Sequence, residues 1–222
     1  MRLTVRPQLE ADIEPALRTQ YAAFRTGAMG KLLTPNPSPS PEYLVSATKS
    51  RLATMRSNPA AHFMVVEDLD LLPANPIIAA AHWDIYAEER TEAQVDALCH
   101  KADPPPDANA AAWTDFFGHF AESRRALGTK PVAVLHTLTV HPDHQRRGAG
   151  TLLMRTFVEQ VDRAGVEAYI ESSEMGKPLY ARFGFAPVLE RRFDLTKYGA
   201  EGVEVNTIMV RPPLSMLQTS ST

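Results

Sequence analysis

The run most suited to chemistry is Gln145-Arg146-Arg147-Gly148-Ala149-Gly150. It follows an alternating apolar stretch, "KPVAVLHTLTV" (130–140), that reads as a strand. It opens "GTLLMRTFVEQVDRAG" (150–165), where Leu152, Leu153, Phe157, Val158 and Val161 recur at helical spacing and Gly165 supplies a stop. The first N–H groups of a helix have no internal partner and carry the positive end of its dipole. Such an end can receive a phosphate. Gly148 and Gly150 bring no Cβ atoms, so a ligand can approach the backbone closely. Arg146 and Arg147 add cations that suit phosphate oxygens. The same residues also suit a plain turn with solvated arginines. Two familiar phosphate loops are absent: no G-x-x-x-x-G-K-[ST] occurs, and "GAGTLLM" lacks the third glycine of G-x-G-x-x-G. The second absence argues against a nicotinamide dinucleotide.

Other candidates have blander readings. His141 and His144 flank Pro142 in a turn, where histidines are usually solvated, so no metal is expected. Glu171 and Glu174 bracket two serines at a strand end and read as surface charge or as an attraction for a cationic amine. His82 and Trp83 could line a pocket, and Trp83 equally suits the core. Cys99 is the one cysteine, which excludes an intrachain disulfide and a cysteine-based zinc site. It reads as packing. A net charge of −3 over 222 residues does not suggest a nucleic-acid binder. No run of about 18 apolar residues suggests a membrane span, and "MRLTVRPQLEADIEP" lacks a signal-peptide core. A cytoplasmic protein is expected, as a monomer or homodimer.

The elements that would hold these residues can be laid out along the chain. Strands are expected at 3–7, 61–69, 76–86, 130–140 and 166–173, with two closing strands in "RRFDLTKY" and at 202–211. Helices are expected at 10–24, 41–57 and 150–165, with a short one in 176–185. "TPNPSPSP" (34–41) and "DPPPD" (103–107) are proline-rich loops. Residues 87–130 form a helical insertion that suits a lid, a partner surface or plain packing. Strands and helices alternate in one sheet, so the class is α/β (α+β), one domain over 1–214 with a flexible tail from 215 to 222.

"LHTLTVHPDHQRRGAGTLLM" resembles the acetyl-CoA-binding motif of the GNAT-type N-acetyltransferase superfamily, whose pattern Q/R-x-x-G-x-G/A sits between a long strand and a helix. "PLYARFGF" resembles a second motif of that superfamily, a tyrosine before a Gly-Phe corner. The resemblance is strongest over roughly 132–188 and does not cover 87–130 or "TPNPSPSP". Within the superfamily, "HTLTVHPDHQRRGAG" is most similar to the arylalkylamine N-acetyltransferase branch, although a second histidine of that branch is Val134 here.

The resemblance implies a mixed central sheet flanked by helices, with strands splayed around acetyl-CoA. It assigns the pyrophosphate to the amides of Gln145, Arg146, Arg147, Gly148, Ala149, Gly150 and Thr151, and the pantetheine arm to the backbone of Leu138, Thr139 and Val140. Tyr180 matches the tyrosine that protonates the departing thiolate. His136 matches a histidine on a water-linked proton path, and histidine titrates near neutrality as a base should. Glu67 and Asp84 are alternative bases. The implied reaction is transfer of acetyl from acetyl-CoA to a primary amine of a small molecule, by direct attack in a ternary complex. A non-catalytic acyl-CoA-binding or regulatory module and a protein or peptide N-acetyltransferase are the alternatives.

Overall fold

The computed structural model describes residues 2–72, 74, 76–100, 103–105 and 107–219. A seven-stranded sheet runs β1 (Leu3–Pro7), β2 (Ala61–Asp68), β3 (Ile77–Tyr86), β4 (Val132–Val140), β5 (Glu167–Ser173), β7 (Val203–Arg211) and β6 (Ala186–Asp194) in spatial order. Every neighbouring pair is antiparallel except β4–β5, which is parallel. That one parallel pair needs a crossover, and α6 (Ala149–Ala164) supplies it. Eight α-helices complete the chain among the described residues: α1 (Ile13–Phe24), α2 (Ala28–Leu33), α3 (Pro41–Ser57), α4 (Glu92–Leu98), α5 (Ala110–Arg125), α6, α7 (Lys177–Ala181) and α8 (Leu214–Thr219). None is long and apolar enough to cross a membrane.

Local chemistry sets these boundaries. Ser40 caps α3 by accepting from Tyr43 N, with Pro41 in the first turn. Thr91 and Gln94 form a capping box on α4, and Asn109 caps α5. Gly165 ends α6 at φ 68°. Two elements depart from the sequence reading. The strand expected in "RRFDLTKY" starts earlier, at Ala186, and stops at Asp194, whose side chain accepts from Thr196 N and turns Leu195–Tyr198 into a 3-10 helix. A short helix, α2, precedes the proline-rich loop where none was expected. The tail expected from 215 begins inside α8; residues 220–222 lie outside the described residues.

One face of the sheet packs on α6, whose Leu153, Met154, Phe157 and Val161 are fully buried against Ile78, Trp83, Leu135 and Ile170. Burying each such side chain stabilises the fold by roughly 1.5–3 kcal/mol. Trp83 also donates its indole N–H to Gln160 at 2.9 Å, which satisfies the polar end of a buried ring. On the opposite face α1 covers β3 and β4. The insertion covers the rest: Leu98 of α4 joins Val132, Val134, Tyr169 and Ile208, and Phe116 of α5 packs on Phe193. Arg124 of α5 pins β5 through a two-pronged ion pair with Glu171, 2.8 Å on each prong.

Candidate active site

The parallel pair opens. β4 and β5 are bonded only from Val132↔Glu167 to Leu135↔Ile170, yet β4 continues to Val140 and β5 to Ser173. β3 stays paired with β4 as far as Val140. Beyond Leu135, β4 therefore keeps one bonded edge, and among the described residues its β5-facing edge has no strand partner. An extended ligand can add to such an edge as a further strand.

The N-terminus of α6 stands at the head of this seam. Gly148 caps it at φ 92°, in the left-handed region that glycine adopts without penalty, and a Cβ there would meet no atom within 4 Å. Arg146 is also left-handed, at φ 63°, and its side chain is exposed. Gly150 also has a packing reason. A Cβ there would come 3.3 Å from Leu179 and 3.7 Å from Leu138 and Val140, so this glycine lets α6 pack on α7 and β4. Arg147 is engaged within the fold. Its guanidinium pairs with the buried Asp68 at the end of β2 and donates to His144 Nδ1 at 2.7 Å, which ties the turn to the sheet. Gln145 reaches back to Val140 O at 3.5 Å. Thr139 is buried and donates to Ala80 O, while Thr151 lies half-buried in the first turn of α6.

His136 occupies an irregularity in β4. His82 faces Thr137 and Trp83 faces Leu135, so His136 is an extra residue, a bulge. The bulge reverses the strand's alternation. Ala133 and Leu135 face α6 before it, and Leu138 and Val140 face α6 after it. Strict alternation would have turned 138 and 140 away. His136 points to the other face, where β3 presents His82 and Asp84. Its Nε2 lies 3.3 Å from Asp84 Oδ2, and His82 Nε2 lies 3.2 Å from Asp84 Oδ1. The two imidazoles stack at 4.5 Å, and Phe63 stacks on the far side of His82 at 4.0 Å. Asn58 and Tyr86 each donate to Asp84 Oδ2 at 3.1 Å. Burial opposes ionisation of Asp84, but its contacts with His136 and His82 outweigh that and hold the carboxyl well below the usual range. Burial, with His136 alongside, pushes His82 down to about 4, so it is neutral at pH 7.

Donor atoms of His82, Asp84 and His136 all fall within 4.8 Å of one another, close enough to suggest a metal. The stacking argues otherwise. The rings are 21° from parallel, so their lone pairs run side by side instead of converging on one ion. The arrangement is one carboxylate shared by two imidazoles, each on its own oxygen.

An acetyltransferase family model, described as Acetyltransferase (GNAT) family, matches residues 76–185, from β3 through the open seam to the end of the α7 corner. The chain belongs to the GNAT acetyltransferase family. Solved structures share the fold. A histone acetyltransferase or related acetyltransferase from Corynebacterium glutamicum is 19% identical with a TM-score of 0.57, over 96% of this chain and 97% of that one. A ribosomal-protein-S18-alanine N-acetyltransferase from Escherichia coli is 15% identical with a TM-score of 0.52, over 96% and 94%. A phosphinothricin acetyltransferase from Sinorhizobium meliloti, solved with acetyl-CoA, is 13% identical with a TM-score of 0.59, over 96% and 89%.

In this GNAT chain Tyr180 sits on α7, nearly buried, with its ring against Phe185. A Cβ added to Gly176 would lie 2.7 Å from Tyr180 Cε2 and 3.2 Å from Ser172 Oγ, so the ring lies beside Ser172, two residues past the last β4–β5 pair. Burial pushes its hydroxyl pKa up. Tyr180 and His136 therefore approach the seam from opposite faces of the sheet. The remaining candidates are engaged elsewhere. Glu67 is bonded to Arg6 at 2.5 Å, Glu171 to Arg124, and Glu174 to Lys177 at 2.9 Å. Trp83 is core, Cys99 is buried at the end of α4, and His141 accepts from Asp143 N. Of the ties around Asp84, the one to His82 had a readable signal. His82 and Asp84 are two apart on one strand, so they share a face.

Proposed function

We propose that this chain moves acetyl from acetyl-CoA to the primary amine of a small molecule, by direct attack in a ternary complex. The observation that carries the reading is the seam between β4 and β5 with the bare amides of α6 at its head. The turn Gln145–Gly150 would take the pyrophosphate, with Arg146 supplying the exposed cation and Arg147 acting as a strut to Asp68. The pantetheine arm would run along the open edge of β4 at Leu138–Val140. The Sinorhizobium relative, solved with acetyl-CoA, supports the choice of ligand.

In the reaction, His136 takes a proton from the amine, directly or through water. The freed nitrogen lone pair attacks the thioester carbonyl carbon, and backbone N–H groups of β4 stabilise the charge that develops on its oxygen. The C–S bond breaks, Tyr180 gives its proton to the leaving sulfur, and the new amide nitrogen sheds its remaining extra proton, which through water restores the tyrosine hydroxyl. A tyrosine whose pKa is raised by burial is protonated at neutral pH and so is in the donating form. Holding amine and thioester together supplies a large share of the rate.

A thermal-shift titration with acetyl-CoA, with NADH and ATP as controls, tests the ligand. At 100 times Kd a ligand specific for the fold adds about 2.7 kcal/mol. A shift with acetyl-CoA alone is expected, followed by thiol release in an amine screen. No shift from folded protein overturns the reading. Binding without thiol release, for small amines or peptides, would favour a non-catalytic module.

A further inference from the structure

The carboxylate between the two histidines is saturated in a way that bears on the base. Its Oδ1 faces His82 Nε2. Its Oδ2 accepts from Asn58 and Tyr86 and faces His136 Nε2. Its side chain is 6% exposed. An ionised carboxylate only accepts, so each imidazole nitrogen that faces it must carry hydrogen. His136 Nε2 is buried and has no hydrogen-bond partner besides this off-axis contact. Proton placement on that nitrogen decides where the lone pair of His136 lies.

We propose that Asp84 and His82 are positioning residues for His136. This rests on the reading of His136 as the base. Asp84 fixes the tautomer with hydrogen on Nε2, which leaves the lone pair on Nδ1, the nitrogen turned from the carboxylate, to take the amine proton. When Nδ1 gains that proton the ring becomes an imidazolium beside a carboxylate, and the pair stabilises the charge without Asp84 itself taking the proton. His82 occupies the other carboxylate oxygen and stacks against His136, with Phe63 behind it. It thereby prevents Asp84 from rotating and the base from turning out of the seam. Asn58 and Tyr86 tie the same carboxylate to the end of α3 and to β3.

The direct test is nitrogen-15 NMR of the full chain at a pH where the histidines are neutral, using long-range proton–nitrogen correlations to assign tautomers. His136 is expected with hydrogen on Nε2, and Asp84→Asn, which keeps the shape, is expected to weaken or reverse that preference. In thiol-release kinetics Asp84→Asn should lower kcat on the order of 10²–10⁴-fold, with acetyl-CoA affinity unchanged. His82→Phe keeps the stack but removes the donor to Oδ1 and should lower kcat roughly tenfold, the worth of one hydrogen bond. Retained acetyl-CoA thermal shifts show that each variant is folded. Hydrogen found on Nδ1 of wild-type His136 overturns the proposal without any activity measurement. An inactive His136→Ala beside a fully active Asp84→Asn overturns it alone. A fully active His136→Ala overturns the base reading, and this inference with it.

Discussion

Gly176→Ala tests whether the position of Tyr180 matters. Gly176 has φ −79° and ψ −30°, which alanine adopts freely, so the substitution adds one methyl group and no backbone strain. That methyl would lie 2.7 Å from Tyr180 Cε2 and 3.2 Å from Ser172 Oγ. Carbon–carbon contacts settle at roughly 3.5–4.0 Å, so the ring must retreat by about 1 Å. Ser172 cannot make room cheaply, because its hydroxyl is tied to Ser173 O at 2.7 Å. Overpacking of this kind costs about 1–3 kcal/mol, or roughly 2–12 °C in Tm for a domain of this size. A 1 Å displacement of a reacting group costs on the order of 10²-fold in rate. Gly176→Ala should therefore lower kcat about 10²-fold and lower Tm, while calorimetry finds acetyl-CoA affinity nearly unchanged. In a Tyr180→Phe background the same substitution should cost no further kcat, because the displaced group no longer carries a proton. A lowered Tm with wild-type kcat would refute the assignment of Tyr180 as the acid.

Other perturbations probe different parts of the molecule. Gly148→Glu places bulk and negative charge at the helix end and should abolish acetyl-CoA binding in calorimetry, whereas Arg146→Ala should only weaken it. Arg124→Met leaves the buried Glu171 unpaired and should cost about 3–5 kcal/mol in urea unfolding, with much of it recovered in Arg124→Met/Glu171→Leu. His82 makes stability depend on pH. Its folded pKa of about 4 lies below the unfolded 6.5, so the unfolded chain binds the proton first as pH falls. The stability is whole above pH 6.5 and is lost as pH falls through 4, a span of about 3 kcal/mol, and His82→Phe should flatten that part of the curve.

The scaffold was legible because its signals are local. Alternation marked β4, and helical spacing with a terminal glycine marked α6. Where local signals compete, the reading slipped. The Asp194 side chain bonds the backbone two residues on, so an apparently strand-like "DLTKY" curls into a 3-10 helix. Arg147 and Gly150 show the same limit within the turn. By type both suit a phosphate, but Asp68, 79 residues away, claims the first, and Leu179 requires the second to be small.

The placement of His136, the proposed base, depends on the bulge, which residue types alone do not reveal. A regular β4 cannot send both its histidine and its seam-lining residues to the right faces. If alternation held from Ala133 onward, residues 138 and 140 would share the face of His136, and α6 would lose Leu138 and Val140 from beneath its first turn. One extra residue at 136 resolves this. It lets His136 face Asp84 while the strand beyond returns to face α6. It also falls where bonding to β5 stops, after Leu135↔Ile170. One irregularity thus coincides with three outcomes: the end of the parallel pairing, the aim of His136 and the seating of the helix N-terminus. Deleting Thr137 takes out the extra residue yet leaves His136 on the Asp84 face and Leu138 and Val140 on the α6 face, so the His136 tautomer preference should survive while acetyl-CoA binding falls because pairing with β5 no longer has to stop after Leu135. Loss of the tautomer preference in that variant would refute the facing assigned to His136, and unchanged acetyl-CoA affinity would show that the bulge does not open the seam.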